Sequence, residues 1–163
     1  MKSHLVKIAA AVLVTFSLFS FSIHTNPANK TVKCLIQTKN YAGEGAYIAV
    51  SLLNDKGAYE QTLYMVGDDE KWYDTLVEWW HQLGEKESVD AISGATITPG
   101  SRSVVAFEIP AEKIDQGYSI RFESAVEDQE YYEKDLEVAL TSANLQGKFE
   151  GEGYIRYVRL IAK

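Results

Sequence analysis

Cysteine and histidine are nearly absent from this chain of 163 residues, which has one cysteine, Cys34, and three histidines, His4, His24 and His81. A lone cysteine closes no internal disulfide. Cys34 sits in the alternation Val32, Cys34, Ile36, where it reads as a small buried hydrophobe rather than a redox thiol. No His/Cys cluster is available for zinc, so no metal site is expected. Two of the histidines lie in or beside the N-terminal segment and no Gly-x-Ser-x-Gly elbow occurs, which argues against a serine triad. P-loop and dinucleotide fingerprints are missing as well. Basic charge is scarce: 16 Lys and Arg stand against 23 Asp and Glu, a net −7, and a nucleic-acid ligand would demand the opposite balance. The acidic run Glu127-Asp128-Gln129-Glu130 has neither the spacing nor the glycine of a calcium loop and reads as a solvated strand end.

The chain also lacks an apolar run of full membrane-spanning length. Ile8 to Ile23 is uncharged and follows a short basic stretch from Met1 to Lys7, but it falls short of the ~20 residues a spanning helix needs. This is the layout of a secretory signal. Ser20-Phe21-Ser22 offers a small-x-small cleavage site, so residues 1–22 form either a cleaved signal peptide or an uncleaved N-terminal anchor. In both cases the protein is expected outside the cytoplasm, periplasmic or anchored to the outer face of the cytoplasmic membrane. Residues 23–30 read as a linker, and 31–163 have the length of one domain with its own core.

What is present is period two. Val32, Cys34 and Ile36 alternate with polar residues, as do Ile48, Val50 and Leu52, and then Tyr118, Ile120 and Phe122; Leu136, Val138 and Leu140 follow the same pattern. Such alternation marks half-buried strands. Residues 103–109 and 154–162 are also strand-like, with both faces expected to be buried. Asn54 to Gly57, Asp115 to Gly117 and Gly151 to Gly153 supply the turns, and Gly43-Glu44-Gly45 reads as a hairpin turn. About seven strands at this spacing imply an all-β fold, an antiparallel β-sandwich of immunoglobulin or fibronectin type III shape.

One segment has another period. Trp72, Tyr73, Leu76, Trp79, Trp80 and Leu83 trace one face of an α-helix over residues 70–83. Asp68 or Asp69 can cap it and Gly84 can end it. The helix and the loop after it therefore interrupt the sandwich at about residues 68–102. Its tryptophans either pin it to the sheet or stack on a flat ring, which makes Trp79 and Trp80 candidate ligand contacts.

The loop after the helix reads Asp90-Ala91-Ile92-Ser93-Gly94-Ala95-Thr96-Ile97-Thr98-Pro99-Gly100. Ser93, Thr96 and Thr98 each offer a hydroxyl, and Pro99-Gly100 turns the chain back toward the sheet. Asp90-x-x-Ser93-Gly94-Ala95-Thr96 resembles the acceptor motif of proteins that carry covalent FMN. The mature chain resembles a family of predicted periplasmic β-sandwich proteins of unknown function that carry this motif. The points of similarity are Ala46 to Val50, Leu76 to Trp80, Asp90 to Thr96 and Tyr154 to Arg159. In proteins with the motif, a magnesium-dependent FAD:protein FMN transferase of the ApbE type moves FMN from FAD onto the last hydroxyl. The resemblance implies FMN in phosphoester linkage to Thr96, with Asp90 in recognition and Ser93, Gly94 and Ala95 as small neighbours on a mobile backbone. It implies two partners, the transferase and a membrane electron-transfer protein, and a redox carrier rather than a self-sufficient enzyme, with no catalytic residue of its own. The competing expectation is an immunoglobulin-like module that binds a sugar or protein at its Trp-rich edge without a cofactor.

Overall fold

The computed structural model describes residues 28–83, 89 and 92–162. The signal or anchor segment 1–22, Gly84 and Asp90 lie outside the described residues. The alternating runs become strands β1 (Asn29–Thr38), β2 (Tyr47–Leu53), β3 (Tyr59–Val66), β4 (Ser93–Gly94), β5 (Arg102–Pro110), β6 (Ser119–Ala125), β7 (Tyr131–Ala139), β8 (Lys148–Glu150) and β9 (Ile155–Ala162). They form a four-stranded sheet, β5-β1-β9-β8, and a five-stranded sheet, β4-β3-β2-β6-β7. The fold is an all-β sandwich. β1 begins inside the expected linker, because Asn29 and Lys30 pair with Pro110 and Ile109.

The pairings are antiparallel with one correction: β4 runs parallel to β3, with Ser93 opposite Met65 and Gly94 opposite Val66. A chain that leaves β3 through a helical crossover comes back in the same direction, which is how parallel neighbours arise. The strand adjacency matches the immunoglobulin scheme. β1 pairs β5 as strand B pairs E, and β2 pairs β6 as C pairs F. Two departures matter. β9 lies beside β1, in the place of strand A. Among the described residues no strand occupies the place of D beside β5, which is an edge of its sheet.

Between the sheets the period-two residues meet as expected. Val32, Cys34 and Ile36 of β1 and Val105, Phe107 and Ile109 of β5 face Ile48, Val50 and Leu52 of β2 and Ile120 and Phe122 of β6. Each such buried side chain contributes roughly 1.5–3 kcal/mol. Cys34 is fully buried, and burial pushes its thiol pKa up.

Which strands are covered twice differs from expectation. β5 and β9 are buried on one face only: Arg102, Val104, Ala106 and Glu108 alternate outward along β5. β2 is buried at every residue and β6 at every residue after Ser119. The cause is a third layer. The segment after β3 folds onto the outer face of the five-stranded sheet, where Tyr73, Leu76, Trp79 and Leu83 pack on Tyr47, Ala49 and Met65.

That segment is not one helix. A 3-10 helix spans Glu70–Thr75 and α1 spans Val77–Leu83, with Leu76 between them at φ −88° and ψ 70°. The Thr75 hydroxyl donates to Trp72 O at 2.6 Å, the carbonyl that the Leu76 amide would use in an α-helix. Leu76 N donates instead to Tyr73 O at 3.1 Å. A hydroxyl side chain competing for a backbone acceptor breaks the helical ladder. Asp69 caps the first turn, accepting from Lys71 N at 3.3 Å.

Asp135 of β7 ties the two sheets at one end. Its Oδ1 accepts from Gly153 N at 2.7 Å, and its Oδ2 accepts from Ile155 N at 2.8 Å and from the Ser124 hydroxyl. The residue is buried, and burial raises its pKa while these hydrogen bonds pull the other way. Asp135→Ala would leave two backbone N–H groups unpaired and is expected to cost about 2–4 kcal/mol. Urea unfolding measures this, and a loss below about 1 kcal/mol would show that the turn holds without the carboxylate.

Candidate functional site

The segment from Ile92 to Ile97 follows the inserted layer. Val89 is buried in the cluster beneath α1, and Ile92 packs against that cluster. Ile92 N donates to Val89 O at 2.9 Å, and the next two residues form β4 on the edge of β3. Gly67 N donates to Gly94 O, which fixes the end of β4. On the far side, Ala46 N donates to Ile97 O at 2.9 Å and Ile97 N to Ala46 O at 3.3 Å. Only Ala95 and Thr96 lie between these anchors. The expectation of a mobile loop is therefore corrected, because hydrogen bonds to β3 and to the start of β2 hold the backbone on both sides of those two residues.

Past the anchor, Pro99 and Gly100 turn the chain into β5. Gly100 has φ 72°, a conformation glycine adopts without strain. Ser101 N donates to Thr98 O at 3.1 Å, and the Thr38 hydroxyl donates to Thr98 O at 2.8 Å.

The three hydroxyls differ in how they are engaged. Thr98 donates to Ser101 Oγ at 2.8 Å, and Ser93 has its own interaction with the surrounding chain. The Thr96 hydroxyl has no hydrogen-bond partner among the described residues. Thr96 is half-buried and Ala95 exposed. Thr96 lines a cavity of about 250 Å³ together with Tyr64, Gly94, Arg102 and Ser103. Arg102 is exposed and forms no ion pair among the described residues. The cavity thus presents a hydroxyl and a guanidinium that have no partner among the described residues.

Two glycines make the room. A Cβ on Gly45 would collide with Thr96 Oγ1, and one on Gly94 would stand 2.6 Å from the Tyr64 hydroxyl oxygen. Gly94 belonged to the sequence motif. Gly45, Tyr64 and Arg102 did not: Gly45 and Tyr64 reach the site from distant parts of the chain, and Arg102 lies just past the motif at the start of β5. The expectation for Gly43-Glu44-Gly45 is also corrected: β1 and β2 belong to different sheets, so this turn is a crossing between sheets rather than a hairpin.

The tryptophans are placed elsewhere. Trp79 is fully buried, its indole N–H donating to Thr62 Oγ1 at 2.8 Å and its ring edge-on to Tyr73 at 5.4 Å. It is a core residue that pins α1 and leaves no face for a flat ligand. Trp80 is the half-buried indole of the pair, tilted 42° from Trp79 and packed on the same cluster. Neither lines the cavity beside Thr96.

Beneath the start of α1 lies Glu123 of β6, only 2% exposed. Its Oε2 accepts from Trp79 N at 3.0 Å and from the Tyr131 hydroxyl at 2.6 Å, while that hydroxyl accepts from Glu78 N at 3.0 Å. Desolvation pushes the Glu123 pKa up to about 7, against the pull of these hydrogen bonds and of Arg121, with Glu78 adding to the rise. Arg121 is shared with Glu133 and Glu137 at 3.4 and 3.2 Å. A pKa raised in the folded state favours folding most at low pH. The contribution of Glu123 is full below its ordinary value of 4.5 and is lost as pH rises through about 7. The melting temperature is therefore expected to fall by a few degrees between about pH 5 and pH 8, with Glu123→Gln flattening that slope. Scanning calorimetry across the range reads it; an unchanged slope in the variant would assign the pH dependence to other groups.

A family model described as a predicted periplasmic protein (DUF2271) matches residues 29–157. No curated protein and no solved structure matches the chain. Among the described residues no helix is long and apolar enough to cross a membrane.

Proposed function

The chain belongs to the DUF2271 family of predicted periplasmic proteins, and from that membership and the geometry of its loop we propose that it is an exported redox carrier with FMN esterified to Thr96. The observation that carries this is the state of the three loop hydroxyls. The Thr98 hydroxyl donates to Ser101 and Ser93 makes an interaction of its own, while the Thr96 hydroxyl has no hydrogen-bond partner among the described residues, is backed by Gly45 and is flanked by the exposed Ala95. The residues present fit the group. A threonine hydroxyl needs a base to become a nucleophile, and here that base belongs to the transferase of the ApbE type. Thr96 Oγ bonds to the flavin-side phosphorus of FAD, the pyrophosphate bridge breaks, AMP leaves, and the hydroxyl proton passes to the transferase.

The rest follows from what this chain's own residues do. The Ala46–Ile97 bridge and the β3–β4 pair hold the acceptor at a defined place, so a foreign active site meets it without first ordering a loop. Gly94 and Ala95 keep the approach unobstructed. Arg102 offers a guanidinium to the phosphodiester, the pairing to which its planar fork is suited. Bound flavin supplies one- and two-electron transfer. A tether retains it outside the cytoplasm, and a membrane electron-transfer protein is the partner expected to exchange electrons with it.

Co-expression with an active transferase of this type is expected to give yellow protein with one added FMN by intact mass. Thr96→Ala should lose the whole addition, whereas Ser93→Ala and Thr98→Ala should keep it. Unmodified mass in the wild type, with the transferase shown active on another target, would sink the proposal. Retention of FMN in Thr96→Ala would do the same.

A further inference from the structure

Among the described residues no strand pairs with the outer edge of β5, which leaves an opening in the sandwich. The edges of β3 and β5 face each other there, and β4 covers β3 only at Met65 and Val66. Two cavities lie along this seam. The first is the one beside Thr96 and Arg102. The second, of about 290 Å³, is lined by Gln61, Ile92, Ala106, Phe107 and Glu108 among others. Tyr64 lines both, so the two are neighbours along the seam with its side chain between them. Along β5 the lining runs from Arg102 to Glu108, which at ~3.3 Å per residue is about 20 Å. That length accommodates a phosphate, a ribityl chain and a three-ring system laid end to end.

The chemistry changes along the cleft. Thr96 and Arg102 stand at one end. Tyr64 follows, then the apolar Ile92 and Phe107, with Gln61 and Glu108 at the far end. A charged group at the entrance, an aromatic and apolar middle and a few polar atoms beyond are what a flat heteroaromatic ligand with an anionic tail uses. We infer that the cleft between β3 and β5 seats the isoalloxazine ring of the tethered flavin, with Tyr64 against the ring and Arg102 on the phosphodiester. This rests on the attachment of FMN to Thr96, and it assigns the cofactor's contacts to the sandwich seam rather than to the tryptophans of the helical layer.

The test uses the full chain, flavinylated by a co-expressed transferase and first verified to carry one FMN by intact mass. A missing addition at that stage counts against the attachment itself and is read separately. On the verified protein, flavin fluorescence yield and anisotropy are compared with those of free FMN. The seated ring is expected to be several-fold dimmer than free FMN and to tumble with the protein. Tyr64→Phe removes the phenol, which quenches excited flavin by electron donation, and should brighten the flavin several-fold with the one-FMN addition retained and the melting temperature unchanged. Arg102→Gln should lower the anisotropy with the one-FMN addition retained. Attached FMN that fluoresces and tumbles as the free cofactor does would overturn the inference. So would a quenched flavin whose yield is the same in Tyr64→Phe, since the quencher would then lie elsewhere.

Discussion

The inserted segment depends on the buried carboxylate of Glu123. A sandwich sheet ordinarily leaves its outer face to water, but here that face carries Tyr47, Ala49, Met65 and Ala125 and needs a cover. The cover is α1, at seven residues far too short to be stable alone. Its first amides have no partner within the helix, and the sheet supplies one: Glu123 takes Trp79 N directly, and Tyr131 takes Glu78 N. With the helix start fixed, Trp79 and Leu83 fill the layer beneath it. The chain that re-enters at Val89 and Ile92 is then delivered to the edge of β3. Thr96 follows two residues after β4, between that strand and the Ala46–Ile97 bridge.

Much of this architecture is written in the period of the apolar residues. The alternation of β1, β2 and β6 forecasts the inter-sheet core, and the change to a helical period forecasts the third layer. What alternation does not report is whether a polar face meets water or a covering layer. Arg121 and Glu123 look solvent-facing in sequence, yet both are buried, because Glu133 and Glu137 pair the one and α1 and Tyr131 pair the other. The converse error occurs on β5, where Val104 is 64% exposed although its sequence neighbours suggest burial on both sides. The break at Leu76 turns on one hydroxyl, that of Thr75, and a two-residue strand such as β4 is too short to show any period.

The loop from Asp90 to Gly100 was legible as a pattern, but its surroundings were not. Gly45 stands against Thr96 and Tyr64 lines the same cavity, both from segments far away in sequence, and a short motif cannot encode contacts across such distances. The tryptophans misled in the opposite way. Their helical spacing is a strong signal, but it is the signal of packing, and the cluster that takes up Trp79 is the reason the helix is there at all. A better pointer lay in Gly43-Glu44-Gly45. A glycine with ordinary backbone geometry, such as Gly45, has to be explained by what approaches it, and here the approaching atom is the Thr96 hydroxyl oxygen.

The seam beside Thr96 follows from topology. With β9 in the place of strand A and, among the described residues, no strand in the place of D, the edge of β5 is left unpaired, and Arg102 and Glu108 along it discourage pairing with another chain. The resulting cleft is shallow. A site that captured free FMN at micromolar concentration would need about 8 kcal/mol of net binding and would have to enclose most of the ligand. A tethered ring makes no such demand, because the covalent bond has already met the entropic cost of association and holds the ring at a high effective concentration. A shallow cleft can then be biased toward orienting the ring and tuning it while leaving one edge exposed to a partner. On the proposed function, an open groove next to a free, pinned hydroxyl is the arrangement a carrier needs: the bond supplies retention, and the fold supplies position.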